Sequence, residues 1–543
     1  MGCWERKNSL QPNFQSGISQ IENGAIAFSG FQTAGSSNST VELNEIHRSL
    51  FIERQLPKKL SGDFVVAAVS AEAELFLCRD GAGARTIYYA TFKDRFYFAS
   101  EPKAIWSTPE FPRKIDPNSI AKYLTFSFVP NSETMLRDVF ELPAGHILHR
   151  TPDGTIVIRR FFEFEKTRQI NLADGDSWAD KFRETFAGTI RDRLALTNGD
   201  PHLFLSGGLD SSIVAAELKN QIEGTPRKIR TFAMHFGADY PNELEFAKSV
   251  ADRIGTEHME VLIEPKSFLP NLRKMVWHLD DPIGDPITMP NFSLAQTLAG
   301  KTDFVFNGEG GDPCFGGPKN IPMMLMHWYG GEREPLFREK AYLSSYRRAY
   351  EELDHLLTPW IDSRIDRSEL TSILTPFFEC KTPERLLDKL AAINIRLKGA
   401  HLILPKVERM LAASGISPLS PLFASEMVEF SFQIPSTQKL GGGIEKVILK
   451  DAYRDQLPID VIKRPKSGMR VPVHFWFQGE LKKYARHILS KRHVNRAGIF
   501  NHHRVKQLLD YNIEEGNGRY GMRLWMLLTF EIWRRIVVEG ESV

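Results

Sequence analysis

The sequence predicts a two-domain α/β protein, with a β-rich layered unit over residues 1–165 followed by a parallel sheet wrapped in helices over residues 176–543. Three observations carry this expectation. Short apolar β segments, each bounded by Gly, Asp, Lys or Arg turns, recur up to residue 160. A polar, charged stretch at 163–176 then reads as a linker. Beyond it strand and helix patterns alternate, as they do when helical crossovers join parallel strands. A chain of 543 residues also exceeds one ordinary core, so two or three domains are expected.

In the first unit, residues 64–69, 75–78, 87–90 and 96–99 read as strands, and His146 and His149 fall in another after Pro143, where structural roles dominate. The second unit opens with a helix over 178–194 and a strand ending at Phe204 that runs through a glycine turn into a further helix. There follow a strand at 231–236, a helix at 243–254, a strand at 259–263, another helix, and a strand at 304–306. From residue 325 onward the pattern is mostly helical, with Gly and Pro interruptions. Near the end Trp525, Phe530 and Trp533 stand at helical spacing with Leu524, Leu527 and Leu528, which is core packing. The basic stretch 482–492 is interleaved with apolar positions and reads as a solvated helix face. His502-His503 beside Arg504 has no acid or Cys at ligand spacing, so it reads as a solvated helix start.

Composition excludes several function classes. A net charge of +2 leaves no basic footprint for nucleic acid, and no apolar run is long enough to span a bilayer. Cys3, Cys78, Cys314 and Cys380 are scattered, without zinc or disulfide spacing, and fit a reducing cytoplasm. The first residues lack an apolar signal core, and Arg6 breaks a myristoylation pattern. A homodimer is compatible with the sequence.

Two loops carry the chemistry. In Ser206-Gly207-Gly208-Leu209-Asp210-Ser211-Ser212 the glycines let backbone approach an anion, while hydroxyls and the first N–H groups of the next helix supply donors. Asp210 would repel a bare phosphate, so a divalent cation is expected between them. The plainer reading, a Ser/Gly turn with an aspartate cap, suits an isolated Ser-Gly-Gly better than this whole strand-turn-helix string. The second loop, Asn307-Gly308-Glu309-Gly310-Gly311-Asp312, leaves the 304–306 strand with two carboxylates among glycines. Asp312 is a natural second metal carboxylate opposite Asp210, and Glu309 is placed to orient or deprotonate an incoming nucleophile. Lys466, in Arg464-Pro465-Lys466, offers a compact charge for phosphate or a developing oxyanion, although alone it would read as a surface lysine.

Together these residues resemble the asparagine synthetase family, over almost the whole chain. The synthetase-like matches are 206–212, Asn242-Glu243 through Gly255-Thr256-Glu257-His258, 308–312, Lys446 and 464–466; glutaminase-like matches include Leu60-Ser61-Gly62-Asp63-Phe64, Arg79-Asp80-Gly81, and Leu142-Pro143-Ala144-Gly145-His146. The resemblance implies an Ntn-hydrolase-like layered αββα domain joined to an ATP-pyrophosphatase domain of the adenine nucleotide α-hydrolase kind. It implies ATP and Mg2+ as cofactors, with Phe204, Ser206, Gly207, Gly208, Leu209, Asp210, Ser211, Ser212, Met234, Gly308 and Lys446 at the nucleotide. Asp210 and Asp312 would hold the metal, Lys466 would stabilise charge during adenylation, and Glu309 would assist amine attack.

Departures shape the functional expectation. Gly2 precedes Cys3, so Cys3 does not stand where the family's N-terminal nucleophile does, and no Asn-Gly-Glu or Arg-Leu-Ser segment lies between Gly24 and Leu60. The first domain is therefore expected to be inactive. Ser417-Pro418-Leu419-Ser420-Pro421-Leu422-Phe423-Ala424 stands where the family has Glu-x-Arg-x-Pro-Phe-Leu-Asp, losing a bidentate carboxylate partner. Pro313 stands where many relatives carry a second acid, and retention of Glu309 disfavours the lactam closure of the β-lactam synthetase relatives. The expected activity is an AMP-forming ligase joining a small-molecule or peptidyl carboxylate to ammonia or an amine. Its alternatives are a true asparagine synthetase, a macrolactam-forming peptide cyclase, and a catalytically silent nucleotide-binding scaffold.

Overall fold

The computed structural model describes residues 17–21, 24–33, 41–167, 170–172, 176–329, 334–346, 349–464, 470–511 and 519–543. Strands β1 (Gly17–Ile21), β2 (Gly24–Thr33), β3 (Ser61–Ser70), β4 (Leu75–Arg79), β5 (Tyr88–Phe92), β6 (Arg95–Ala99), β7 (Val139–Glu141), β8 (His146–Arg150) and β9 (Ile156–Arg160) make two antiparallel sheets. Their orders are β1-β2-β3-β4-β8-β9 and β6-β5-β7. The two-residue period of β3 shows how they stack. Val65 and Ala67 point inward with Leu77 and Leu148 onto Tyr89 of the smaller sheet and onto Ile87 and Leu142, which flank its strands. Phe64, Val66 and Ala68 point the other way, onto Ile46 and Leu50, which lie in and just after the helix Leu43–Arg48.

A parallel sheet organises the second half, as the alternating pattern implies. It contains β10 (His202–Phe204), β11 (Arg230–His235), β12 (Glu257–Leu262), β13 (Phe304–Phe306) and β14 (Ser417–Leu419), in the order β12-β11-β10-β13-β14. Every pairing is parallel. Helices Leu209–Ile222 and Leu244–Ile254 cover one face, burying Ile213, Val214, Ala247 and Val250 with Leu203, Leu205 and Ala233. Helices Thr288–Leu298 and Leu404–Ala412 cover the other, placing Leu294, Leu298, Val407 and Leu411 on Phe232 and Val305. Strand order reverses beside β10: β11 and β12 extend to one side, β13 and β14 to the other. A crevice opens at such a reversal, outside the carboxyl ends of the strands.

The linker expectation needs correcting at its start. Residues 164–166 form a short helical turn, and Phe164 is fully buried. Its ring packs 5.0 Å from Phe432 and lies under the Arg396 guanidinium at 4.2 Å, which pulls the segment out of solvent. The halves also meet through Arg79, which donates to the Ala400 carbonyl at 2.9 Å, and through His401 and Glu141 at 2.8 Å. Among the described residues no helix is long and apolar enough to cross a membrane. Trp525, Phe530 and Trp533 are core residues.

Candidate active site

The loop after β10 is built from its own hydroxyls. Gly207 takes φ 74° and lies so close to the next helix but one that a Cβ there would be 2.5 Å from the Ala247 nitrogen. Gly208 caps the helix Leu209–Ile222, leaving the first-turn N–H groups of Leu209, Asp210 and Ser211 directed out of the sheet. The Ser206 hydroxyl accepts from the Gly208 amide at 3.3 Å and lies 3.2 Å from the Ser211 hydroxyl. Ser212, fully buried, donates to the Gly208 carbonyl at 2.8 Å and so braces the turn. Phe204 and Met234 stand at or one residue before the carboxyl ends of β10 and β11.

The loop after β13 interlocks with it. A Cβ on Gly308 would lie 2.5 Å from the Ser211 nitrogen, and one on Gly311 would lie 2.2 Å from the Asp210 carboxylate. Glycine is therefore required there by close approach of the two loops. Glu309 is turned by its own amide, which donates to Asn307 Oδ1 at 3.0 Å. Asp312 lies in the first turn of the short helix Gly311–Phe315, packed against Gly317. Beneath it Cys314 is fully buried, and burial pushes its thiol up to about 12, so it offers no nucleophile.

Lys446 joins the two acids. Its Nζ lies 2.7 and 2.6 Å from Asp210 Oδ1 and Oδ2, and 2.6 Å from Asp312 Oδ1. Two carboxylates that converge on one buried ammonium are close enough to share a single ion. No cluster of three or more His, Cys, Asp or Glu able to hold a metal occurs among the described residues. Two carboxylates with open positions for phosphate oxygens and water suit magnesium, which is bound by one or two carboxylates at nucleotide sites, so Asp210 and Asp312 fit that ion.

A cavity of about 150 Å³ opens on these groups, lined by Asp210, Gly308, Glu309 and Asp312, with Asp285, Asn320, Asn394, Lys398 and Lys406 on its other walls. Sequence reasoning missed that second set. Asn394, Lys398, Leu402 and Ile403 come from a stretch of wide π-helical turns, Asn394–Ile403, a conformation that collects at functional sites. Lys406 Nζ lies 3.1 Å from Asp285 Oδ2. A larger hollow, about 540 Å³ around His202, Arg230, Glu257 and Lys301, lies at the amino ends of β10, β11 and β12, away from both loops. Lys466 lies outside the described residues, as does Cys3. Arg464, two residues before Lys466, bonds Glu243 at 2.8 Å and stacks on Phe246 at 4.0 Å, next to Gly207.

Two fixed acids able to hold a divalent cation, at the switch point of a parallel sheet, suit a site that handles phosphates through that cation. The asparagine synthase family matches residues 181–535, most of the chain, and the protein belongs to that family. A glutamine amidotransferase domain matches residues 34–162. Asparagine synthetase [glutamine-hydrolyzing] 1 of Bacillus subtilis is 26% identical over 493 residues, spanning 86% of this chain and 76% of the relative. Asparagine synthetase [glutamine-hydrolyzing] of Rattus norvegicus is 26% identical over 432 residues, or 75% of this chain and 64% of the relative. By family the protein is a carbon–nitrogen ligase, an ATP-dependent amide ligase in general terms.

Proposed function

We propose that the protein adenylates a substrate carboxylate and transfers the acyl group to ammonia or an amine. The observation that carries this reading is the convergence of Asp210 and Asp312 on one cation, with Glu309 in the same cavity. A carboxylate oxygen attacks the α-phosphorus of ATP, the bond to the departing pyrophosphate breaks, and an acyl-adenylate results. The amine then attacks the acyl carbon, AMP leaves, and the amine's proton passes to Glu309. The glycine turn at Ser206, Gly207, Gly208, Leu209, Asp210, Ser211 and Ser212 cradles phosphates, and the backbone at Phe204, Met234 and Gly308 meets the nucleotide. Magnesium held by Asp210 and Asp312 would supply neutralisation of pyrophosphate charge, and Lys446 and Lys466 add positive charge to the same phosphates.

The unit over 1–165 is an Ntn-type, glutaminase-like scaffold that does not feed this site, a reading supported by the missing glutamine-holding segments between Gly24 and Leu60. The acceptor differs from free aspartate. Leu419, at the position of the family's guanidinium, is fully buried in the core, while Lys398 and Lys406, the latter paired with Asp285, stand on another wall of the cavity. Pyrophosphate release from magnesium ATP, measured across a panel of carboxylic acids, tests the proposal. One or more acids should support it, and Asp210→Asn should abolish it in a folded protein. Absence of AMP with every acid, despite intact ATP binding, would leave a nucleotide-binding scaffold.

A further inference from the structure

Lys446 is 1% exposed and pairs with two carboxylates at once, in the place where the preceding reading puts a magnesium ion. A second cation cannot join the same two acids without strong like-charge repulsion. One of the three groups must therefore yield when the metal enters, and their settings differ. Asp210 is pressed against the Gly311 backbone and Asp312 against Gly317, with ideal Cβ positions 2.2 and 2.6 Å from their oxygens, so neither carboxylate has room to withdraw toward those loops. Lys446 sits on a long unbranched stem, the most adaptable of the three side chains. Its backbone is pinned: the Lys446 amide donates to the Lys439 carbonyl at 2.7 Å, and the residue holds a left-handed conformation, φ 55° and ψ 41°, at the head of the helix Val447–Ala452. A strained but anchored backbone beneath a long, rotatable side chain is a fixed pivot from which a charge can swing.

We propose that Lys446 is the resident counter-ion of Asp210 and Asp312 in the nucleotide-free enzyme and that it competes with the divalent cation for them. When the metal nucleotide arrives, the ammonium releases the carboxylates and turns onto the incoming phosphates. The charge of the acidic pair is thus halved without bound metal, and free divalent cation is held weakly until a nucleotide brings it. This inference rests on the assignment of Asp210 and Asp312 as metal ligands, and its test separates the two.

The test measures Mn2+ binding to the full chain without nucleotide, by calorimetry or electron paramagnetic resonance, together with thermal melting. Lys446→Met should bind Mn2+ roughly tenfold more tightly than the parent or better, because the competitor is gone, and Mn2+ should raise its melting temperature more than the parent's. Lys446→Gln serves as a second, polar variant, and Lys446→Met combined with Asp312→Asn should recover melting temperature while losing the gained Mn2+ affinity. Unchanged or weaker Mn2+ binding in both lysine variants, with binding still sensitive to Asp210→Asn, would overturn the competition while preserving the metal site. A gain in Mn2+ affinity that persists when Asp210 and Asp312 are both replaced would overturn the metal assignment and the competition with it.

Discussion

Arg396 and Glu165 face each other through two parallel hydrogen bonds, Nε to Oε1 at 2.7 Å and Nη2 to Oε2 at 2.8 Å. The pair ties the end of the first half to the same π-helical stretch that carries Asn394 and Lys398 to the candidate cavity. Arg396 also donates to the Phe162 carbonyl at 2.6 Å and the Ala144 carbonyl at 3.1 Å, so one guanidinium fastens three residues of the first half at the seam.

Breaking this pair should be costly. Arg396→Ala leaves the largely buried Glu165 carboxylate with only the more distant Arg160, 3.6 Å away, as its cation, an expected loss of about 3 kcal/mol, whereas Arg396→Met with Glu165→Leu should recover much of it. Urea unfolding of the three proteins decides the matter. Equal stability of the single variant and the parent would refute the pairing's importance.

Glu309→Gln should separate the two half-reactions. Adenylation needs charge neutralisation, which the substitution leaves in place, so pyrophosphate release with the true acid should persist. Amide formation should fall about a hundredfold or more, the usual loss when a positioned base is removed. Parallel assays of pyrophosphate and amide product read this directly, and an equal fall in both would remove Glu309 from the aminolysis step.

Gly311→Ala should act through Asp210. The added methyl would lie 2.2 Å from that carboxylate, forcing it off Lys446, at a stability cost of about 1–3 kcal/mol and with loss of pyrophosphate release. Gly199→Ala, where nothing lies within 4 Å, is the control and should change neither quantity. Retained turnover in the first variant would mean that the loops do not need their present contact.

Asp281 should give the fold a pH dependence. Burial, aided by nearby Glu141 and Asp280 and opposed by the Met135 amide that donates to it, pushes its carboxyl from 3.8 up to about 8. The native state thus holds a proton that the unfolded chain has released. Its contribution is fully present below the unfolded value near 4, declines as pH rises, and is gone above the folded value near 8. Asp281→Asn removes that decline, so the variant should gain on the parent as melting is followed from pH 5 to pH 8.5. Parallel curves for the two proteins would contradict it.

Much of the parallel sheet was legible because its signals are local. The helix Trp178–Leu194 and the strand Phe304–Phe306 fall where the periodicity puts them, since each carries its own apolar pattern and boundaries. β2 was not legible: Gly24, Ser29 and Gly30 interrupt its alternation, and pairing with β3 along ten residues is what makes it a strand. β14 contains Pro418, which speaks against a strand until the sheet edge is known, where proline is tolerated. Asn394, Lys398 and Lys406 carried no signal, because a polar residue on a helix looks the same in sequence whether it faces water or a cavity.

The sequence by itself determined the two glycine-rich loops and the parallel sheet that bears them. Glycines, hydroxyls and carboxylates at a strand's carboxyl end have few other physical uses, and each loop is contiguous in the chain. Only the tertiary structure decided that Lys446, 236 residues from Asp210, lies between the two acids, and that the seam at Arg396 and Glu165 shares a helix with the cavity. Those relations depend on how distant elements pack, through burial that pays no heed to separation along the chain, and no local pattern records them.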